Sequence, residues 1–213
     1  MSAPIRVLLV DDHEVVRAGY RRLFEGTDDI EVVAEADSGE AAYTLYLEHR
    51  PTVVVMDLSL PGIGGLDASR RILARDKAAR ILVFSVHENE VFLNRALDQG
   101  VLGYISKRSA SRVMLDAVRQ VAQGESFIGQ EMMGFLVNRR TSADKYAIDS
   151  LSPREFEVFR LRAEGLSVND IAGLLNVSPK TVGHHNTRLK QKLGVASTAE
   201  LTRLAIRLGV ITP

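Results

Sequence analysis

The 213 residues include no cysteine. That excludes disulfides, thiolate metal sites and cysteine nucleophiles, and it fits a cytoplasmic protein. Long apolar runs are also missing: nothing approaches the roughly 18 residues that cross a membrane. The apolar run in the N-terminal MSAPIRVLLVDDH leads into charges rather than a small-residue cleavage site, so no signal peptide is expected. Neither the GxxxxGK(S/T) nor the GxGxxG phosphate loop occurs, which argues against a nucleotide-binding enzyme. There is no internal repeat and no low-complexity segment.

Hydrophobic residues make up 46% of the chain and charged residues 25%, enough for one sizeable core or two modest ones. The formal net charge is zero but unevenly spread. Residues 150–213 carry 9 Lys and Arg against 5 Asp and Glu, and residues 1–149 carry 18 against 22, balances of +4 and −4. An acidic part and a basic part suggest different partners, a cation and a nucleic acid.

Short β-branched runs appear at Ile5–Val10, Ile30–Ala34, Val53–Met56, Ile81–Phe84 and Leu102–Ile105. Between them lie stretches with helical spacing, such as Val15, Val16, Gly19, Leu23 and Val113, Met114, Ala117, Val118, Val121. Five strand–helix alternations predict an α/β fold, a parallel five-stranded sheet covered by helices on both faces, over residues 1–123. Residues 124–149 read as a linker holding a short helix near Glu131–Arg139. From 150 to 213 the text is helical throughout, with Ser-Pro starts at Ser152 and Ser178 and glycine stops at Gly165 and Gly194. Four short helices with tight turns predict a small bundle containing a helix-turn-helix.

In an open parallel sheet, ligands bind beyond the carboxyl ends of the strands. Asp11 and Asp12 follow the first predicted strand, Asp57 the third, and Ser85 and Lys107 end the fourth and fifth. If strands one and three are neighbours, the three carboxylates converge and favour protonation unless a cation is present. Mg²⁺ is the natural counterion for such oxygen ligands. A phosphoryl group on Asp57 would then meet the metal on one side and the Lys107 ammonium on the other, the neutralisation that phosphoryl transfer needs. Asp57 is the predicted nucleophile, forming an aspartyl phosphate, and the Ser85 hydroxyl can donate to a phosphoryl oxygen. The bland reading makes each acid a turn or helix cap.

Residues 5–122 resemble the receiver domain of two-component response regulators, through VLLVDDH, VVVMDLSLPGIGG, ILVFS and GYISK. The resemblance implies a flavodoxin-like fold, with Asp57 as phosphoacceptor, Asp11 and Asp12 as metal-site acids, Ser85 as switch hydroxyl and Lys107 as phosphate partner. It places Tyr104 at the aromatic switch position, whose ring turns inward behind the hydroxyl. The other reading of Tyr104 is an edge-strand aromatic packed on its neighbours.

The segment Ser178–Lys192 holds Lys180, Arg188, Lys190 and Lys192 and no acid. Val182, Leu189 and Leu193 share one face, and His184, His185, Asn186, Thr187 and Arg188 lie away from it. Polar tips with basic flanks suit the major groove of DNA, and Ser178, Lys180 and Thr181 at the helix start can meet a phosphate. The alternative is a solvated helix face. Adjacent His184 and His185 point about 100° apart on a helix, so they do not chelate one ion together.

Residues 150–213 resemble the LuxR-type helix-turn-helix, through LSPREFEVFRLRAEGLSVNDIAGLLNVSPKTVGHHNTRLKQKLGV. With the receiver, this implies the NarL/FixJ family, and the tail AELTRLAIRLGVI looks most like its GacA/UvrY branch. The resemblance makes Ser167–Leu175 the positioning helix, Pro179–Leu193 the recognition helix and Ala199–Leu208 the dimer face. It implies base reading by Gly183, His184 and Thr187, with Arg188 nearby. The expected DNA-contacting set is Ser178, Lys180, Thr181, Gly183, His184, Thr187, Arg188 and Lys190. Gly183 stands where many relatives have lysine, so their DNA sequence preference does not carry over. The implied partners are a sensor histidine kinase, double-stranded promoter DNA and a second copy of the chain. Two rivals stand: a phosphorylation-independent DNA-binding regulator, and an aspartyl-phosphate phosphatase, which often needs a second acid where this chain has Ser59.

Overall fold

A computed structural model describes residues 3–109, 111–137 and 147–211. The strands are β1 Ile5–Val10, β2 Ile30–Ala36, β3 Val53–Met56, β4 Ile81–Ser85, β5 Gly103–Ser106 and β6 Phe127–Ile128. All pair in parallel, in the order β2-β1-β3-β4-β5-β6. The sheet thus has six strands rather than five. The sixth comes from the stretch expected as linker, where Phe127 N–H donates to Leu102 O (3.1 Å) and Gly129 N–H to Tyr104 O (2.8 Å). β5 is therefore not an edge, and the edge-strand reading of Tyr104 does not hold.

Helices α1 Glu14–Glu25 and α5 Ser111–Ala122 pack on one face of the sheet. Helices α2 Gly39–His49, α3 Gly65–Arg75 and α4 Glu90–Asp98 pack on the other. Both faces being covered, β3 and β4 are buried at every residue, which is why their sequences are apolar runs rather than alternations. Gly65 opens α3 where a Cβ would stand 1.9 Å from the Asp57 carbonyl, so only glycine lets this helix start so close to the β3 end.

Helix α6 spans Gln130–Val137; residues 138 and 139 of the expected short helix lie outside the described residues. The C-terminal part is all helical: α7 Pro153–Ala163, α8 Val168–Leu174, α9 Pro179–Leu193 and α10 Thr198–Arg207. Serines 152, 167, 178 and 197 cap the four starts, with capping boxes to Glu155 and Asp170. Asn176 (φ 51°) forms the turn between α8 and α9, and Gly194 (φ 65°) ends α9 in the left-handed conformation. One apolar cluster runs without a break from the sheet through α4 into Phe156, Val158 and Phe159 of α7.

Candidate functional site

Register builds the site. Val10 pairs with Met56 at the ends of β1 and β3. The next residues, Asp11 and Asp57, are thereby neighbours, and the Asp57 N–H donates to Val10 O (2.9 Å). Both carboxylates are almost fully buried, at 1% exposure. Ser85 pairs with Ser106 at the ends of β4 and β5, so Lys107 emerges on the same rim. Its Nζ lies 2.5 Å from Asp11 Oδ2 and 2.9 Å from Asp57 Oδ2. The expected convergence of Asp11, Asp57 and Lys107 is thus present. Asp12 sits at the mouth, a third exposed.

Burial pushes the Asp57 carboxyl above the usual carboxylate range, with Lys107 pulling down and Asp11 adding to the rise. Burial acts downward on Lys107, but the Asp57 and Asp11 carboxylates hold its ammonium above the ordinary value. Asp57 Oδ1 is buried and makes no hydrogen bond among the described residues. A buried carboxylate oxygen left without a donor, with Asp11 on the neighbouring strand end and Asp12 clustered with Asp11 at the mouth, is the donor set an oxygen-seeking divalent cation satisfies. The residues therefore fit Mg²⁺.

Sequence reasoning missed His13. Its ring Nδ1 lies 2.7 Å from Asp12 Oδ1 and 3.2 Å from Asp11 Oδ1, so it shares the acidic mouth. The signal was the DDH triplet itself.

Ser85 is fully buried, and its Oγ accepts from the His87 N–H (3.3 Å). The Tyr104 ring is fully buried, and its hydroxyl donates to His87 O (2.7 Å). Burial pushes the Tyr104 phenol far up, so it stays a donor. The 86–89 loop is held again at Glu88, which receives the Ser106 hydroxyl and Arg108 Nη1 (3.1 Å). No local sequence pattern pointed to His87 or Glu88.

The second set lies on α9. Ser178, Lys180, Thr181, His184, Thr187 and Arg188 are exposed, and Gly183 and Lys190 are half-buried. Ser178 Oγ accepts from the Thr181 N–H (3.1 Å) and meets its hydroxyl at 2.9 Å, so both residues build the helix start. Thr187 bonds back to Gly183 O (3.0 Å). Lys190 Nζ donates to Ala196 O (3.2 Å), and Lys192 pairs with the buried Glu155 at 2.6 Å; both serve the fold. Lys180 and Arg188 carry no ion pair among the described residues and present their charge outward. The His184 and His185 rings are 6.2 Å apart at 63°.

Residues 7–119 match the family model of the response regulator receiver domain, and residues 149–205 that of bacterial regulatory proteins of the luxR family. Response regulator UvrY of Escherichia coli strain K12 is 38% identical over 208 residues, covering 97% of this chain and 95% of its own. Response regulator GacA of Pseudomonas aeruginosa is 36% identical over 209 residues, covering 97% and 98%. Among solved structures, RcsB of Salmonella enterica serovar Typhimurium, bound to promoter rprA in the presence of the phosphomimetic BeF3−, superimposes with a TM-score of 0.66. It is 28% identical, with 94% of this chain and 98% of that one covered. A second RcsB structure, at TM-score 0.61, 28% identity and 94% and 97% coverage, holds two dimers bound to two parallel DNAs.

Proposed function

The chain belongs to the response regulators of two-component systems, a receiver followed by a LuxR-type helix-turn-helix, and from that premise we propose that it is a transcription factor switched by phosphorylation of Asp57. This family places it among transcription regulators rather than enzymes. The observation that carries the proposal is the buried Asp57 carboxylate with one oxygen on Lys107 and the other without a donor.

In this reading a sensor histidine kinase supplies the phosphoryl group. An Asp57 oxygen attacks phosphorus; the P–O bond forms as the P–N bond to the kinase histidine breaks, and the imidazole leaves with the electron pair. Asp11, Asp12 and Asp57 would hold Mg²⁺, which supplies charge neutralisation for the phosphoryl oxygens. Lys107 is placed to neutralise the same charge from the other side. The Ser85 hydroxyl donates to a phosphoryl oxygen, with the buried Tyr104 behind it. The DNA-binding half then acts as a dimer on a roughly two-fold promoter site. Lys180 and Arg188 meet phosphates, Ser178 and Thr181 present the helix start, and His184 and Thr187 face the bases beside Gly183. Support for the dimer comes from the DNA-bound RcsB dimers. No described helix is long and apolar enough to cross a membrane, and the cytoplasm is where the promoter target would be met.

The test is promoter binding with and without acetyl phosphate and Mg²⁺. Wild type gains affinity on phosphorylation and Asp57→Asn does not. Equal affinity of the two proteins under both conditions would instead support a regulator whose receiver answers to a partner rather than to phosphate.

A further inference from the structure

His13 is the N-cap residue of α1, yet its side chain makes no cap bond. The backbone does the holding instead, with the His13 carbonyl accepting from the Val16 and Arg17 N–H groups (3.0 and 3.1 Å). The imidazole turns back onto the two acids that precede it. Its Nδ1 stands 2.7 Å from Asp12 Oδ1 and 3.2 Å from Asp11 Oδ1. One oxygen from each acid and one ring nitrogen all lie within 4.8 Å of one another. Two ligands set at right angles about 2.1 Å from one ion stand about 3 Å apart, so these spacings suit adjacent places in one coordination shell.

The triplet Asp11–Asp12–His13 is braced from several sides. The His13 N–H donates to Asp11 Oδ1 (2.9 Å). Arg17 Nη1 donates to the Asp11 carbonyl (2.6 Å), and Arg17 Nε pairs with Glu35 of β2 (3.4 Å). Lys107 Nζ joins Asp11 Oδ2 to Asp57 Oδ2, so the two buried carboxylates turn toward one space. Asp57 Oδ1, buried and without a hydrogen bond among the described residues, is a second and independent mark of a cation, because a buried carboxylate oxygen needs a donor or an ion. Backbone bonds and ion pairs therefore fix the ligand-bearing loop before any ion arrives.

We propose that His13 is a nitrogen ligand of this pocket, which makes it a site for a first-row divalent transition ion, such as Mn²⁺, in preference to Mg²⁺. This rests on the reading of Asp11, Asp12 and Asp57 as the acids that hold a divalent cation. Mg²⁺ takes oxygen ligands and keeps several waters, so an imidazole adds little to its binding. First-row transition ions accept imidazole beside carboxylate, with affinity rising from manganese onward. With its proton on Nε2, the ring offers the Nδ1 lone pair to the ion and replaces one of its waters. The pocket then fills with a transition ion at concentrations too low for Mg²⁺ to occupy it.

Titration calorimetry of the full chain with Mn²⁺ and with Mg²⁺, and pulsed electron paramagnetic resonance of the Mn²⁺ form, test the assignment. Wild type should bind Mn²⁺ more tightly than Mg²⁺ and show the modulation of a directly bound imidazole nitrogen. The His13 side chain is 66% exposed, so His13→Ala leaves the fold intact. In that variant the nitrogen modulation should vanish and the Mn²⁺ Kd rise by about tenfold, with a smaller loss for Mg²⁺. No nitrogen modulation in wild type, its survival in His13→Ala, or equal losses for the two ions overturns His13 as a ligand. Mn²⁺ affinity that falls in His13→Ala but not in Asp57→Asn supports the nitrogen ligand and counts against Asp57 as part of the cation site. Mn²⁺ that fails to bind wild type overturns both.

Discussion

Removing the Lys107 ammonium is the sharpest perturbation of the acid pocket. Its Nζ is shared by Asp11 and Asp57 at 2.5 and 2.9 Å, and both carboxylates are 1% exposed. Lys107→Met keeps the stem and deletes the charge, leaving two buried acids facing each other. Truncating one partner of a buried ion pair costs about 3–5 kcal/mol. At about 2–4 °C per kcal/mol for a chain of this size, the melting temperature should fall by roughly 6–20 °C at neutral pH. The sign with pH follows from Asp57, whose folded-state pKa already lies above its ordinary value. A carboxyl with a raised folded pKa penalises the fold when ionised and is relieved as pH falls through that pKa. The gap between variant and wild type should therefore narrow on mild acidification. Mg²⁺ should narrow it as well, because the variant has lost the ammonium that competes for the same carboxylates and so gains more from binding the cation than wild type does. Thermal unfolding at neutral and mildly acid pH, with and without Mg²⁺, reads all three effects. An unchanged melting temperature at neutral pH, or a gap that widens on acidification, would refute the account of the pocket.

Two predictions concern the helical half. In Lys192→Ala the buried Glu155 loses its 2.6 Å partner, so stability should fall by about 1–2 kcal/mol, less than a fully buried pair because Lys192 is partly exposed. The folded pKa of Glu155 is lowered, burial opposing and the Lys192 bond prevailing. The Lys192 contribution should be present above the ordinary glutamate range and vanish as pH falls through the folded pKa, which urea unfolding against pH would show. Lys180→Ala and Arg188→Ala should leave stability alone and weaken promoter binding on all sequences, each lowering the salt slope by about 1. Unchanged binding and slope would mean that another surface meets the DNA.

Much of the fold was legible because local rules and burial agreed. β1, β3 and the recognition helix fall where the sequence predicts them, since strands covered on both faces read as apolar runs and α9 carries Ser178 before it and Gly194 after it. The acid pocket was legible because strand ends share one rim. β6 was not, since two residues carry no period and Phe127–Ile128 is defined only by its partners on β5. Helix α4 follows from the strand–helix alternation, but its burial does not: Val91 to Ala96 are all buried, with Phe156 of α7 set against Phe92 and Arg95. The same long-range contact put His87 and Arg95 beyond sequence reasoning. Lys190 and Lys192 read as part of a basic helix, yet one ties down Ala196 and the other Glu155, 37 residues away.

The most direct measurement is the position of the phosphoryl group itself. The protein is treated with acetyl phosphate and Mg²⁺, the acyl phosphate is reduced with borohydride, and the peptides are sequenced by mass spectrometry. The account predicts homoserine at position 57 alone, lost when Mg²⁺ is chelated. Modification at Asp11 or Asp12, or unmodified Asp57 in protein that has gained phosphate mass, would contradict it.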